Sequence, residues 1–136
     1  MNEMSLDPEH IVIIAEAGVN HNGSVENALR LVDAAAIAGA DYVKFQTFKA
    51  EKLVTAEARK ADYAQRNTGK DDRQMGMLRS LELNEAEHRQ LIKHCKKQGV
   101  QFLSTGFDEE ALEMLVAMGV DRIKIPSGEL TNLPYL

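Results

Sequence analysis

The chain has 136 residues, 44% of them hydrophobic and 5% aromatic, with a formal charge of −5, four His and a single Cys. That much apolar material excludes wholesale disorder, and one thiol excludes an internal disulfide framework. The acidic balance argues against a general nucleic-acid or membrane-surface binder, and no apolar run approaches the roughly 20 residues of a membrane helix, so the expected location is the cytoplasm.

Residues 1–10 read as a leader without the basic and apolar regions of a secretory signal. Ile11-Val12-Ile13-Ile14-Ala15-Glu16 predicts a first strand. Ser24 then caps a helix whose Ala28, Leu31, Val32 and Ala35 repeat on one face up to Gly39. Gly39-Ala40-Asp41-Tyr42-Val43-Lys44-Phe45 supplies the second strand. The stretch from Phe48 to Leu83 is too long for an economical connection. It follows a strand and so falls at the sheet's C-terminal edge, as a functional loop or a variable surface insertion, with Ala56 to Gln65 suited to a helix. Asn84 and Glu87 form a capping-box start for a helix carrying Leu91, Ile92 and Cys95. Gly99-Val100-Gln101-Phe102-Leu103-Ser104 is the third strand, Asp108 caps a helix with Ala111, Leu112, Leu115 and Met118, and Gly119-Val120-Asp121-Arg122-Ile123-Lys124-Ile125 is the fourth strand.

Each glycine that opens a strand segment stands where a helix needs a left-handed terminal residue. The order β-α-β-α-β-α-β requires parallel strands joined by right-handed crossovers. Two architectures fit: an open doubly wound sheet, or part of a (β/α)8 barrel. The dinucleotide signature G-x-G-x-x-G does not follow the first strand, and a complete barrel takes about 250 residues, so four strands make about half.

The fifth residues after Gly39, Gly99 and Gly119 are Lys44, Ser104 and Lys124. Equal counts place these three at one register. A lysine in a central strand needs an anion beside it, either a ligand or an Asp or Glu. Two lysines together favour a pocket for phosphate or carboxylate. Glu16, Gln46, Thr47, Thr105, Ser127 and Glu129 cluster at the strand ends. Hydroxyls and backbone N–H groups suit phosphate oxygens. The two carboxylates suit sugar hydroxyls or proton transfer, or simply neutralise a lysine.

The turn Gly18-Val19-Asn20-His21-Asn22-Gly23 is rich in residues that tolerate left-handed backbone, and His21 is expected to make a structural hydrogen bond rather than serve as a ligand or acid–base group. His88 and His94, six apart on a helix, cannot form a local metal pair, and Cys95 belongs to an apolar stripe. No metal site is expected from these residues.

Ile13-Ile14-Ala15-Glu16-Ala17-Gly18-Val19-Asn20-His21-Asn22-Gly23-Ser24 resembles the opening strand and turn of the sialic acid (N-acetylneuraminate) synthase family. Val43-Lys44-Phe45-Gln46-Thr47, Phe102-Leu103-Ser104-Thr105 and Lys124-Ile125-Pro126-Ser127-Gly128-Glu129 resemble its next three strands, and Asn132 and Pro134 fit the loop that follows. The resemblance runs from about Ile11 to Leu136. It implies an α/β fold of the (β/α)8 barrel type, with residues 1–136 as its N-terminal half and 48–83 as a long active-site loop region. The later barrel half and the family's C-terminal antifreeze-like domain are expected to be absent from this chain.

The resemblance further implies condensation of phosphoenolpyruvate with N-acetylmannosamine to N-acetylneuraminic acid, releasing phosphate. Lys44, Thr105, Lys124 and Ser127 would hold phosphoenolpyruvate. Glu16, Asn67 and Glu129 would face the amino sugar, Glu16 or Glu129 would assist proton transfer, and Gln46 would line the pocket. Glu16, Lys44, Lys124 and Glu129 are thus the expected catalytic set. A divalent ion, Mn2+ or Mg2+, would activate the sugar aldehyde through histidines expected in the later half, leaving this chain inactive alone. Arg66-Asn67-Thr68-Gly69 and Met77 to Leu83 look more like bacterial neuraminate and legionaminate synthases than pseudaminate synthases, so a legionaminic acid precursor is the competing acceptor. Other readings are a different phosphoenolpyruvate-using sugar-acid synthase, or a non-catalytic half-barrel that binds an anion. Expected partners are the two substrates and either the missing barrel half or a second copy, the complete enzyme being a dimer.

Overall fold

The computed structural model describes residues 10–53 and 75–136. Along the chain lie β1 (Ile14–Gly18), α1 (Val25–Ile37), β2 (Tyr42–Thr47), α2 (Glu85–Gln98), β3 (Gln101–Gly106), α3 (Glu109–Ala117), β4 (Ile123–Lys124) and a 3-10 turn at Ser127–Glu129. The caps form as the side chains dictate. Ser24 accepts from the Asn27 N–H and Asp108 from the Ala111 N–H, while Asn84 and Glu87 exchange both bonds of a capping box.

All four strands differ in their bounds from expectation, β2 and β3 each ending two residues later and β1 and β4 differing most. β1 begins at Ile14 rather than Ile11 and continues to Gly18. The Ile13 N–H donates to the Asp41 carboxylate at 2.7 Å, while the Ile13 carbonyl accepts from the Asp41 and Tyr42 N–H groups, so Asp41 fixes where pairing starts. β4 holds only Ile123 and Lys124, and Pro126, which has no N–H to give to a ladder, follows closely.

The four strands are parallel and ordered β1-β2-β3-β4. Chain order equal to spatial order leaves no point where the winding reverses, which a doubly wound sheet would require. One face of the sheet carries the core: Val43, Phe45 and Phe102 pack with Ala28, Val32, Leu91, Cys95 and Leu115 from α1, α2 and α3. Phe45 and Phe102 stack at 5.7 Å between centroids, worth about 1 kcal/mol beyond the area they bury.

From β2 to β3 and from β3 to β4 the register is offset by one residue. Lys44, fifth after Gly39, pairs with Leu103, which is fourth after Gly99. Ser104, fifth after Gly99, pairs with Ile123, fourth after Gly119. Identical helix-to-strand turns therefore start each strand one residue out of step with its neighbour. Eight such steps amount to the shear of about 8 that closes a (β/α)8 barrel.

At the top of β1 the chain turns sharply through Gly18 to Gly23. Gly23 has φ +75, and a Cβ there would stand 1.9 Å from the Ser80 carbonyl oxygen. The opening turn thus rests directly on the backbone that returns from the long connection. Replacing Gly23 with Ala adds both left-handed strain and a backbone clash, and is expected to cost about 2 kcal/mol or more. Urea denaturation of Gly23→Ala measures this, and an unchanged midpoint would refute the contact.

Candidate functional site

Side chains at paired positions of a parallel sheet share a face, and alternate residues along a strand share it too. Glu16 pairs with Lys44, Gln46 with Thr105, and Thr105 with Lys124. All five therefore project from the face opposite the helices, together with Tyr42 and Leu103. In this group Thr105 is buried, Lys44 and Gln46 are half-buried, and Glu16 and Lys124 are exposed.

The lower part of this face is closed. The Tyr42 hydroxyl donates to Asp121 at 3.0 Å, and the Arg122 guanidinium lies 5.2 Å from the Tyr42 ring centroid, so β2 and the start of β4 are tied across β3. Burial and the bond to Asp121 push the Tyr42 phenol above its ordinary pKa. Above that floor stands the polar layer. Lys44 Nζ is 2.5 Å from Glu16 Oε2, with the Glu16 side chain 55% exposed. Such an open pair contributes little to stability, up to about 1 kcal/mol. Gly18 leaves room for this group: a Cβ there would meet Glu16 Oε1 at 3.4 Å and Gln46 Nε2 at 3.6 Å.

Beyond β4, Ser127 opens the 3-10 turn and is exposed, while Glu129 is half-buried and accepts from the Asn132 amide at 2.6 Å. Tyr135 is buried and donates to the Gly106 carbonyl, tying this segment to the end of β3. Asn67 and the helical stretch expected at 56–65 lie outside the described residues. The two ends of the 48–83 connection are anchored at the C-terminal edge: the Ala50 N–H donates to Glu82 at 2.6 Å, and Lys49 pairs with the same carboxylate at 3.7 Å.

Ser104 is not in the polar layer, contrary to the equal-count expectation. Because of the one-residue offset it pairs with Phe45 and faces the helices, fully buried. There Ser104 Oγ lies 2.7 Å from Thr47 Oγ1, which lies 2.8 Å from His88 Nε2, and His88 Nδ1 lies 2.9 Å from the Asn84 carbonyl. Only Lys44 and Lys124 of the three counted residues share the face opposite the helices, as even-numbered strands share a barrel layer. Sequence reading weighed His88 solely as a metal ligand; the alternation Gln46-Thr47 beside Ser104-Thr105 was the signal that two hydroxyls face away from the site.

His21 is fully buried, and its Nδ1 accepts from the Gly23 N–H at 2.9 Å, the structural role expected of it. Its Nε2 has no partner among the described residues. Burial, then the nearby His88, hold the His21 imidazole below its ordinary pKa; burial does the same to His88 despite its bond to Asn84. Cys95 is buried in the core, its thiol pushed up to about 12 by desolvation. Among the described residues no three His, Cys, Asp or Glu side chains are grouped to hold a metal ion. These residues do not fit the divalent ion implied by the resemblance, so no step is assigned to it. Among them, no helix is long and apolar enough to cross a membrane.

The NeuB family model matches residues 31–136. The chain is 52% identical over 124 residues to the N,N'-diacetyllegionaminic acid synthase of Legionella pneumophila, covering 91% of this chain and 35% of that protein. It is 50% identical to the enzyme of the same name from Campylobacter jejuni, covering 92% of this chain and 37% of the relative. The crystal structure of a sialic acid synthetase from Leptospira borgpetersenii in complex with citrate superposes with a TM-score of 0.75 at 30% identity, covering 91% of this chain and 39% of that one. The chain thus spans about a third of the length of the relatives it matches, and its four parallel strands are of the barrel type found in such synthases.

The two depressed histidines make stability depend on pH. Unfolded, each takes a proton near 6.5; folded, each resists it. Below that pH the unfolded chain therefore binds more protons, so stability is fully present above about 6.5 and is lost as the pH falls towards the folded values. Denaturant midpoints should hold steady from pH ~8 to ~7 and drop between ~6.5 and ~5. His88→Gln should flatten that drop; an equal slope in the variant would exclude His88 as its source.

Proposed function

Because this chain belongs to the NeuB family, we propose that its polar sheet face holds phosphoenolpyruvate and an N-acetylated amino sugar for condensation to a sugar acid. The observation that carries this reading is the placement of two ammonium groups on one otherwise packed sheet face. Lys44 is offset by a single, half-exposed carboxylate, and none of the described carboxylates pairs with Lys124. The two stand two strands and two residues apart, about 12 Å between Cα atoms from standard strand spacings. Two long side chains converge from that separation on one ligand bearing a phosphate and a carboxylate.

Lys44, Lys124 and the Thr105 hydroxyl hold the anionic groups, with Ser127 above them. Glu16, Gln46 and Glu129 are left to bind the polar acceptor. The enol carbon of phosphoenolpyruvate attacks the aldehyde carbon of the open-chain sugar. The alkene electron pair forms the new C–C bond, and the aldehyde oxygen takes a proton, which Glu16 or Glu129 supplies. Water adds to the phosphate-bearing carbon, losing a proton; cleavage of its C–O bond releases inorganic phosphate and leaves the keto acid. Fixed ammonium groups around the phosphate lower the barrier by stabilising charge where it accumulates.

The acceptor supported by the 52% and 50% identities is the legionaminic acid precursor, ahead of N-acetylmannosamine. Phosphate release from phosphoenolpyruvate, assayed with each acceptor and manganese on this chain supplied with a downstream barrel half, tests both. Faster release with the diacetylated sugar is the expected result. Ligand binding without release from either acceptor would favour a non-catalytic anion-binding role. Lys44→Ala and Lys124→Ala should each weaken phosphoenolpyruvate binding about tenfold or more, as measured by titration calorimetry, because each removes a hydrogen bond between charged groups. Unchanged affinity in both would refute the assignment of the pocket.

A further inference from the structure

The buried hydrogen bonds behind the pocket have only one consistent direction. The Asn84 carbonyl can only accept, so His88 Nδ1 carries the proton and donates to it at 2.9 Å. In a neutral ring Nε2 is then a lone pair, which must accept from the Thr47 hydroxyl at 2.8 Å. That commits the only hydrogen on Thr47 Oγ1, so the 2.7 Å contact with Ser104 Oγ is a bond that Ser104 donates. The chain therefore runs Ser104 to Thr47 to His88 to Asn84, entirely on the helix side of the sheet. Its three side chains are each at most 3% exposed.

Its position gives it a second consequence. Thr47 and Ser104 adjoin Gln46 and Thr105 in sequence, and Gln46 and Thr105 are register partners on the pocket face. Thr105 is in turn the register partner of Lys124. Two oxygens at 2.7 Å stand about 1 Å closer than two methyl carbons in ordinary contact. Hydrogen bonds on the closed face thus draw β2 and β3 together at the level where the open face meets its ligand. The capping box of α2 fixes the far end through Asn84 and Glu87.

We propose that Thr47 and His88 are positioning residues, whose hydrogen bonds set the spacing of Gln46 and Thr105 and with it the fit of the anionic ligand beside Lys124. The inference rests on the reading of the pocket as a phosphoenolpyruvate site. Neither residue touches the ligand. Misplacement of binding groups by about 1 Å is enough to cost up to about a hundredfold in rate.

Thr47→Val keeps the shape and removes the hydroxyl; Thr47→Ser keeps the hydroxyl and removes a methyl. In this protein, titrated with phosphoenolpyruvate well below each variant's melting temperature, Thr47→Val should bind about tenfold more weakly or worse. Thr47→Ser should stay within about threefold of the unmodified protein, a rescue that loss of packing alone would not produce. Ser104→Ala removes one donor without touching His88; it should weaken binding in the same direction and serves if Thr47→Val fails to fold. In 15N-detected spectra the His88 ring should carry its proton on Nδ1. A proton on Nε2, or wild-type affinity in Thr47→Val or in Ser104→Ala, overturns the proposal. Loss of affinity in Thr47→Ser equal to that in Thr47→Val overturns it as well. Failure of the unmodified protein to bind phosphoenolpyruvate would overturn the pocket reading and this inference together, whereas binding that the hydroxyl variants leave unchanged overturns this inference alone.

Discussion

Every polar side chain on these strands has two destinations, and the one-residue offset between neighbouring strands decides which it takes. Lys44 and Lys124 stand at equal distances from their glycines on alternate strands and reach the same face. Ser104, at the same distance on the strand between them, is turned to the other. An offset of zero would have put Ser104 among the lysines and driven Thr105 into the helices. The placement of charge and the placement of core are consequences of one geometric quantity, the same shear that curves the sheet towards a barrel.

The two faces then satisfy their polar groups in opposite ways. On the helix side there is no solvent to fall back on, so Ser104, Thr47 and His88 form a closed sequence of donors and acceptors that ends on the cap of α2. On the open side, Lys44 meets a half-exposed Glu16, Lys124 is exposed, and a ligand can replace solvent without breaking buried bonds. Low dielectric makes an unpartnered group costly behind the sheet, and the same groups would be cheap in front of it. His21 is the exception on that side: its Nδ1 accepts a backbone N–H while its Nε2 has no partner among the described residues, whereas His88 donates from Nδ1 to a carbonyl, so the two rings carry opposite tautomers.

The ends of the long connection are held by contacts of both kinds. Glu82 accepts from the Ala50 N–H and attracts Lys49, which brings the departing and returning strands of chain together at the C-terminal edge. Gly23 presses on the Ser80 carbonyl from the other side. These contacts bring loop ends that are distant in sequence against a single turn. The resulting site is assembled from backbone proximity as much as from side-chain chemistry.

Local chemistry sufficed for much of this protein. Ser24, Asn84 and Asp108 cap helices because each side chain meets N–H groups within three residues, and Gly39, Gly99 and Gly119 end them because the left-handed turn is local too. The grouping of Lys44, Lys124, Thr105 and Glu16 on strand ends was legible for the same reason: each stands beside recognisable turn residues. The facing of Ser104, the partnership of Thr47 with His88, and the start of β1 at Ile14 were not. Each depends on a residue at least 28 positions away, and a register shift of one residue leaves the spacing within every strand unchanged while reversing its faces. The sequence by itself determined the strands and helices named above, their order and the polar residues at the strand ends. Only the tertiary structure decided which of those residues share the open face, because register is a relation between strands and no strand carries it alone.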